Sequence, residues 1–485
     1  MSMTQSSTRP HLRATLLLAC LAQFMVILDV SVVNVALPSI GAGLHFSEVD
    51  LQWVVNAYTV TFAGFMLLGG RAADLIGRRR VFVAGLALFT LASLAGGFAD
   101  SRALMLAARV AQGLGGAVIA PASLSILTTT YPEGRERSRA VGIWGAMGGA
   151  GGATGVILGG LLTELSWRWI FFVNVPIGVA GALLALRFIT ADARGGSTDR
   201  QGFDLAGALS ATLGLSLVVL GIVRTDQTGW GAGSTLVIIA VGLALLGAFL
   251  AIEGRFAGRP LMPLRVWSSK TLRAANAVVL ALGAASFSMW FFLSLYLQEV
   301  RRDSPIATGL AFLPMTASIV VASTLASRLV HRFGARTPLI AGMTALGAGL
   351  VLFTQLPVGG SFWVSMLGPS LLAAIGIGLA FTPAAIAGVS GVPAHEAGLA
   401  SGLINTSRMF GGALGLAVLA TLAASHTNAE AHAGVAARMA LTDGFHLAFL
   451  IAAGLSLGGA LLALALPRTS TAARAADSAP VALEA

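Results

Sequence analysis

The chain has 485 residues, 56% of them hydrophobic and only 10% charged, with a mean hydropathy of +0.85. A typical soluble chain is about a quarter charged, so most of this surface is built to meet hydrocarbon, and a soluble enzyme or nucleic-acid-binding protein is excluded. The net charge of +10 is then a matter of placement, because Lys and Arg gather in cytoplasmic loops and fix orientation.

The first apolar run, 14–39, is too long for a signal-peptide core and reads as the first of fourteen spans of about 20 residues or more. The others are predicted at 51–70, 80–99, 103–129, 140–162, 169–189, 205–223, 234–252, 273–298, 307–327, 338–357, 362–388, 400–424 and 444–466. An even number puts both termini on one side. Of the 30 basic residues, 22 fall in the tails, loops and span ends of that side, six lie on the other side, and two, Arg109 and Arg408, fall deep within spans. The termini are therefore expected to be cytoplasmic. The single cysteine, Cys20, sits in the first run and reads as small apolar filler, with no disulfide framework to join.

The first span holds Leu28-Asp29-Val-Ser-Val-Val-Asn34-Val-Ala-Leu37-Pro38, and Asp29 is the only acid deep in any predicted span. An ionised carboxylate at that depth costs about 2.5–3.5 kcal/mol on insertion scales, so such residues face a cavity or a partner. The loop after the second span reads Gly70-Arg71-Ala-Ala-Asp74-Leu-Ile-Gly77-Arg78-Arg79-Arg80. In the fourth span, Arg109, Gln112 and Gly113 share a helical face. At 1.5 Å per residue, Asp29 lies roughly 14 Å below Pro38 and Arg109 roughly 9 Å inside the outer start of its span, so their depths are comparable. A neighbouring guanidinium favours the ionised carboxylate and desolvation favours the acid, so small helix movements could load and unload a proton. The fifth span carries Gly142, Gly151, Gly155, Gly159 and Gly160, a flat stripe suited to close helix approach. Trp167-Arg168-Trp169-Ile-Phe-Phe-Val-Asn174-Val-Pro176 reads as an aromatic belt with a helix start.

The chain repeats itself. Arg328-Leu-Val-His331-Arg332-Phe-Gly334-Ala-Arg336 copies the first loop at an offset of 257, and Gly402, Gly411 and Gly415 copy Gly142, Gly151 and Gly155 at 260. Two parallel six-helix units result. The expected organisation is an N-tail at 1–13, a six-helix bundle at 14–189, a two-helix insert with its loops at 190–272, a second bundle at 273–466 and a C-tail at 467–485.

These residues resemble the major facilitator superfamily, in its 14-helix drug:proton antiporter branch of EmrB/QacA-like exporters. The resemblance implies an all-α membrane fold of two six-helix bundles plus two inserted helices. It gives Asp29 and Arg109 to proton coupling, Gly70, Asp74, Gly77, Arg78 and Arg79 to a gating loop whose Asp74 pairs with Arg across the bundles, and the glycines of the fifth span to antiporter-type helix packing. The chain departs from the pattern at Leu75, where the family has Arg, and at Val156, where it has Pro. Substrate contacts are expected from Asn34, Gln52, Asn56, Gln112, Trp290, Phe291 and Asn405, polar or aromatic groups on mid-bundle faces. No Gly-Lys-Ser/Thr follows from the single lysine, Lys270, so no ATP site is expected; energy would come from the proton gradient, with no cofactor or metal. Apart from Arg109, no second catalytic group accompanies Asp29, which argues against an enzyme. The expected function is export of amphipathic, cationic drugs across a bacterial inner membrane by alternating access, with protons and membrane lipid as partners, no nucleic acid, and the monomer as the working unit. A dedicated exporter of one antibiotic or metabolite, or a non-transporting receptor on the same fold, stands as the alternative.

Overall fold

The computed structural model describes residues 9–132, 134–190, 204–256, 262, 264–390, 392 and 397–467. Among them are fourteen helical segments long and apolar enough to cross a membrane, and no strand. The first bundle comprises α1 (Arg9–Leu44), α2 (Glu48–Ile76), α3 (Arg78–Gly97), α4 (Arg102–Thr130) and α5 (Arg135–Leu165), followed by α6 (Trp169–Phe172) and α7 (Asn174–Phe188), which share the sixth crossing. The next pair is α8 (Leu205–Thr228) and α9 (Gly233–Ala251). The second bundle contains α10 (Lys270–Leu295), α11 (Pro305–Phe333), α12 (Arg336–Phe353), α13 (Leu367–Ser390), α14 (Ala397–His432) and α15 (Ala437–Leu462).

Several helices overrun the apolar runs by one or two turns, because a helix ends where its terminal N–H and C=O groups find partners, not where hydropathy falls. Ser47, Ser101, Ser269 and Ser304 each accept a hydrogen bond from the N–H three residues on, capping α2, α4, α10 and α11. Gly77 (φ 109°) and Gly334 (φ 73°) make the matching turns α2–α3 and α11–α12, at a backbone conformation that side-chain-bearing residues avoid.

The repeat reappears in the packing. The α5 helix runs parallel to α1, with Gly151 against the Phe24 carbonyl and Gly155 against Leu28 and Ser31. In the second bundle α14 runs along α10, with Gly411 against the Leu280 carbonyl and Gly415 against Ala284. Residues of α1 and α10 thus correspond at an offset of 256, and those of α5 and α14 at 260. Glycine permits this approach because no β-carbon separates the backbones. The α8 helix packs on α2, where Thr212 fills the space beside Gly64, and on α14; α9 leans on α8 through Gly242 and Gly214 and is otherwise mostly exposed.

The bundles meet along two pairs of helices. Gly160 of α5 abuts Pro305 and Ile306 of α11, and Val156 abuts Gly309. On the other side, Leu67 of α2 lies against Gly402 of α14, and Val60 and Trp53 share a cluster with Ala413 and Ala417. Near the end of α1, Ser294 of α10 donates to the Asn34 carbonyl at 2.6 Å, and Gln298 donates to the Val35 carbonyl at 2.8 Å. At the start of α5 the walls part: nothing lies within 4 Å of a β-carbon added to Gly142, Gly145 or Gly148.

Candidate functional site

Asp29 and Arg109, matched in depth by counting residues, form an ion pair of 2.6 Å between Arg109 Nη1 and Asp29 Oδ2. Neither is accessible, at 0% and 1% exposure. The other carboxylate oxygen, Oδ1, accepts from Gln112 Nε2 at 2.9 Å and from Asn174 Nδ2 at 3.0 Å. The guanidinium also donates to the Gln112 side-chain oxygen and, through Nε, to the Val54 carbonyl, both at 2.9 Å, and lies over the Tyr58 ring at 4.5 Å. Gln112 in turn donates to Ser93 Oγ at 2.8 Å. Four elements therefore converge on one carboxylate: α1 carries it, α4 supplies Arg109 and Gln112, α7 supplies Asn174, and α2 supplies the Val54 carbonyl and Tyr58.

The chemistry follows from the donor count. Ionised, Asp29 is an acceptor on both oxygens and three N–H groups point at it. Oδ2 accepts one of those bonds and Oδ1 two, so about three of the four acceptor sites of the carboxylate are filled by donors from α4 and α7. Among the described residues, the second bundle shows no matching buried ion pair. Ala285 occupies the position of Asp29 at the α1–α10 offset, and Ser370 that of Arg109, since Gly85 beside Gly115 and Gly342 beside Gly376 fix the α4–α13 offset at 261.

The other expected site residues divide by location. Gln112 is fully buried in the Asp29 shell. Gln52 and Asn56 are also fully buried and bond to each other at 3.4 Å along α2, because the face they occupy is covered by neighbouring helices. Phe291 is in the core, edge-on to Phe292 at 5.3 Å. Asn34, Trp290 and Asn405 remain partly open; Asn34 donates to the Val30 carbonyl of its own helix, and Trp290 lies edge-on to Phe312 at 5.0 Å. Asn174, Ser93 and Tyr58 were not anticipated as site residues.

In the expected gating loop, Gly70 lies beside Pro121, Arg78 donates to Ser125 Oγ at 2.8 Å, and Arg79 to the Ile189 carbonyl at 3.3 Å. Those two bonds tie the α2–α3 turn to its own bundle. The Asp74 side chain lies outside the described residues. Along α5, Gly151, Gly155 and Gly159 pack on α1 and Gly160 on α11, whereas Gly142 packs on nothing and borders open space. The expectation that all five glycines mediate helix packing is corrected at Gly142, which is a turn or more beyond the point where α5 leaves its neighbours.

Fourteen membrane-length helices, two bundles related by a repeat, and one sealed carboxylate-guanidinium site define a multi-pass helical transport protein. Residues 19–416 match the Major Facilitator Superfamily, and the chain belongs to that family of membrane transporters. It is 46% identical over 416 residues to the cephamycin export protein of Amycolatopsis lactamdurans, covering 85% of each chain. It is 36% identical over 419 residues to the multidrug resistance protein Stp of Mycobacterium tuberculosis, covering 86% of this chain and 76% of the relative. The fold matches a bacterial homologue of the human lysosomal transporter Spinster, in an inward-facing and unoccupied conformation, with a TM-score of 0.67 at 17% identity, covering 94% of this chain and 97% of the other. The chain is thus a multi-pass protein of the bacterial inner membrane.

Proposed function

We propose that the protein exports amphipathic drugs or antibiotics from the cell in exchange for protons, by alternating access between its two bundles. The observation that carries this reading is the buried carboxylate of Asp29, bonded by three N–H groups, on a helix that also holds the other bundle. Five and six residues beyond Asp29, the Asn34 and Val35 carbonyls accept from Ser294 of α10 and from Gln298 in the helical turn Tyr296–Val300 that continues it. A shift of α1 that lets Asp29 take a proton acts on the same rigid element that closes this end of the bundle interface.

With the N-terminus in the cytoplasm, as the basic residues favour, the gap along the start of α5 opens inward and the α1–α10 contact closes the outer side. Cargo enters through the gap, binding releases the Asp29 proton inward, and outward opening re-protonates the acid and frees the cargo. No nucleotide or cofactor is needed, and each monomer is complete, set in lipid. The export relatives at 46% and 36% identity support the direction and the cargo class. The first of them is named for a single antibiotic, which favours a narrower second reading: a dedicated exporter of one compound.

The test is accumulation of a panel of drugs and dyes in a host stripped of its own pumps, with and without a protonophore. Lowered accumulation that the protonophore abolishes supports the proposal, and breadth across the panel separates a multidrug pump from a dedicated one. Accumulation unaffected by the protein for every compound would refute export.

A further inference from the structure

A charge that the proton site does not use lies on α14. Gly411 and Gly415 face α10, while Gly402, Met409 and Ala413 face α2. At about 100° per residue, Asn405, Arg408 and Gly412 fall on the arc between those two faces. At the repeat offset they correspond to Gly145, Gly148 and Gly152 of α5. Added β-carbons at Gly145 and Gly148 would meet nothing within 4 Å, and one at Gly152 would touch only Ser31 Oγ at 4.0 Å, so this stripe borders the open space between the bundles. One bundle presents bare glycine there and the other presents a guanidinium.

Among the described residues, the guanidinium of Arg408 has aromatic neighbours and no counter-charge. Its centre lies 5.0 Å from the Phe381 ring and 5.9 Å from the Phe287 ring. Its Nε is buried without a hydrogen-bond partner, and among the described residues no carboxylate reaches it. Asp29 is no counter-charge, because Arg109 already pairs with it. Stacking on aromatic faces steadies a guanidinium and leaves its N–H edge free, and that planar edge matches the paired oxygens of a carboxylate, sulfonate or phosphate. A cationic cargo in this space would meet an uncompensated like charge.

We infer that Arg408 is a specificity-determining residue that binds the anionic group of the cargo, with the cargo's apolar body against Phe287, Phe381 and the glycine wall of α5. The inference rests on the drug-export reading and reverses the expectation of a cationic cargo.

The test is binding of two fluorescent probes to the purified full chain in detergent, with micelle blanks subtracted. One is 1-anilinonaphthalene-8-sulfonate and the other is N-phenyl-1-naphthylamine, the same ring scaffold without the anion. Wild type is expected to bind the sulfonate about tenfold tighter or more, the size of a charge-assisted hydrogen bond. Arg408→Gln should erase the preference while keeping wild-type affinity for the neutral probe, which also shows that the variant is folded; Arg408→Lys should keep part of it. Equal binding of both probes by wild type, no binding of either, or a preference that survives Arg408→Gln would overturn the inference. Displacement of the sulfonate by phosphatidylglycerol would reassign the site to a lipid headgroup and overturn it too. Export of uncharged drugs in the pump-stripped host is independent of these results, so the inference can fail while the proposed function stands.

Discussion

The ion pair of Asp29 and Arg109 is best tested by a double-mutant cycle of Asp29→Asn, Arg109→Leu and the two together. At 2.6 Å and with both side chains inaccessible, removing one partner strands the other charge in a dry site. Such losses run to about 3–5 kcal/mol. Asp29→Asn keeps an acceptor for Gln112 or Asn174 and should sit at the lower end. Arg109→Leu also strips the buried Gln112 oxygen of its donor, an acceptor worth about 1–3 kcal/mol when left unpaired, and should cost more. The double variant contains no buried charge, so its loss should fall short of the summed single losses by about 3 kcal/mol, the upper end for residues in one network. Unfolding free energies of the purified variants in mixed micelles measure this. Losses that add to within about 0.5 kcal/mol would refute the coupling.

Other consequences are more local. A β-carbon on Gly155 would lie 2.5 Å from Ser31 Cβ, so Gly155→Leu should destabilise by at least about 1–3 kcal/mol, whereas Gly142→Ala, with nothing within 4 Å, should leave the thermal midpoint nearly unchanged. Removing both α1–α10 hydrogen bonds with Ser294→Ala and Gln298→Ala gives up about 1–3 kcal/mol of closure at that end. In a Cys20→Ser background, maleimide labelling of Leu295→Cys should then speed up about fivefold or more; an unchanged rate would show that these bonds do not hold the interface. Asn174→Ala should slow proton-coupled export about tenfold by loosening the Asp29 shell, since a hydrogen bond to a charged group is worth about 1.5–3 kcal/mol.

Much of this was legible in the sequence, for reasons that also mark where legibility stops. Span number follows from hydropathy because the bilayer fixes element length. The repeat was visible in Gly77 and Gly334 and in the glycines of α5 and α14 because backbone approach and positive φ both demand glycine. Asp29 and Arg109 could be matched in depth by rise per residue, while their contact is a finding of the structure. Periodicity assigns a residue to a face but not to what covers that face, so Gln52, Asn56, Gln112 and Phe291 looked like cavity residues and proved to be sealed by neighbouring helices. Asn174 was hidden in a run of aromatics that resembles an interfacial belt; the helix break between Phe172 and Asn174, which sets its side chain toward Asp29, is a tertiary feature. An asparagine flanked by apolar residues was the signal that could have found it. Arg408 was visible as a basic residue within a span, but its lack of a partner is a fact about three helices at once.

Proton exchange at Asp29 is most directly measured in inside-out membrane vesicles that carry an imposed pH gradient, read by a pH-sensitive dye while an exported compound is added. Wild type should discharge the gradient on addition of the compound. Asp29→Asn, at equal protein level and with binding of the compound retained, should leave it in place. Discharge by Asp29→Asn at the wild-type rate would contradict the assignment of the exchanged proton to this carboxylate.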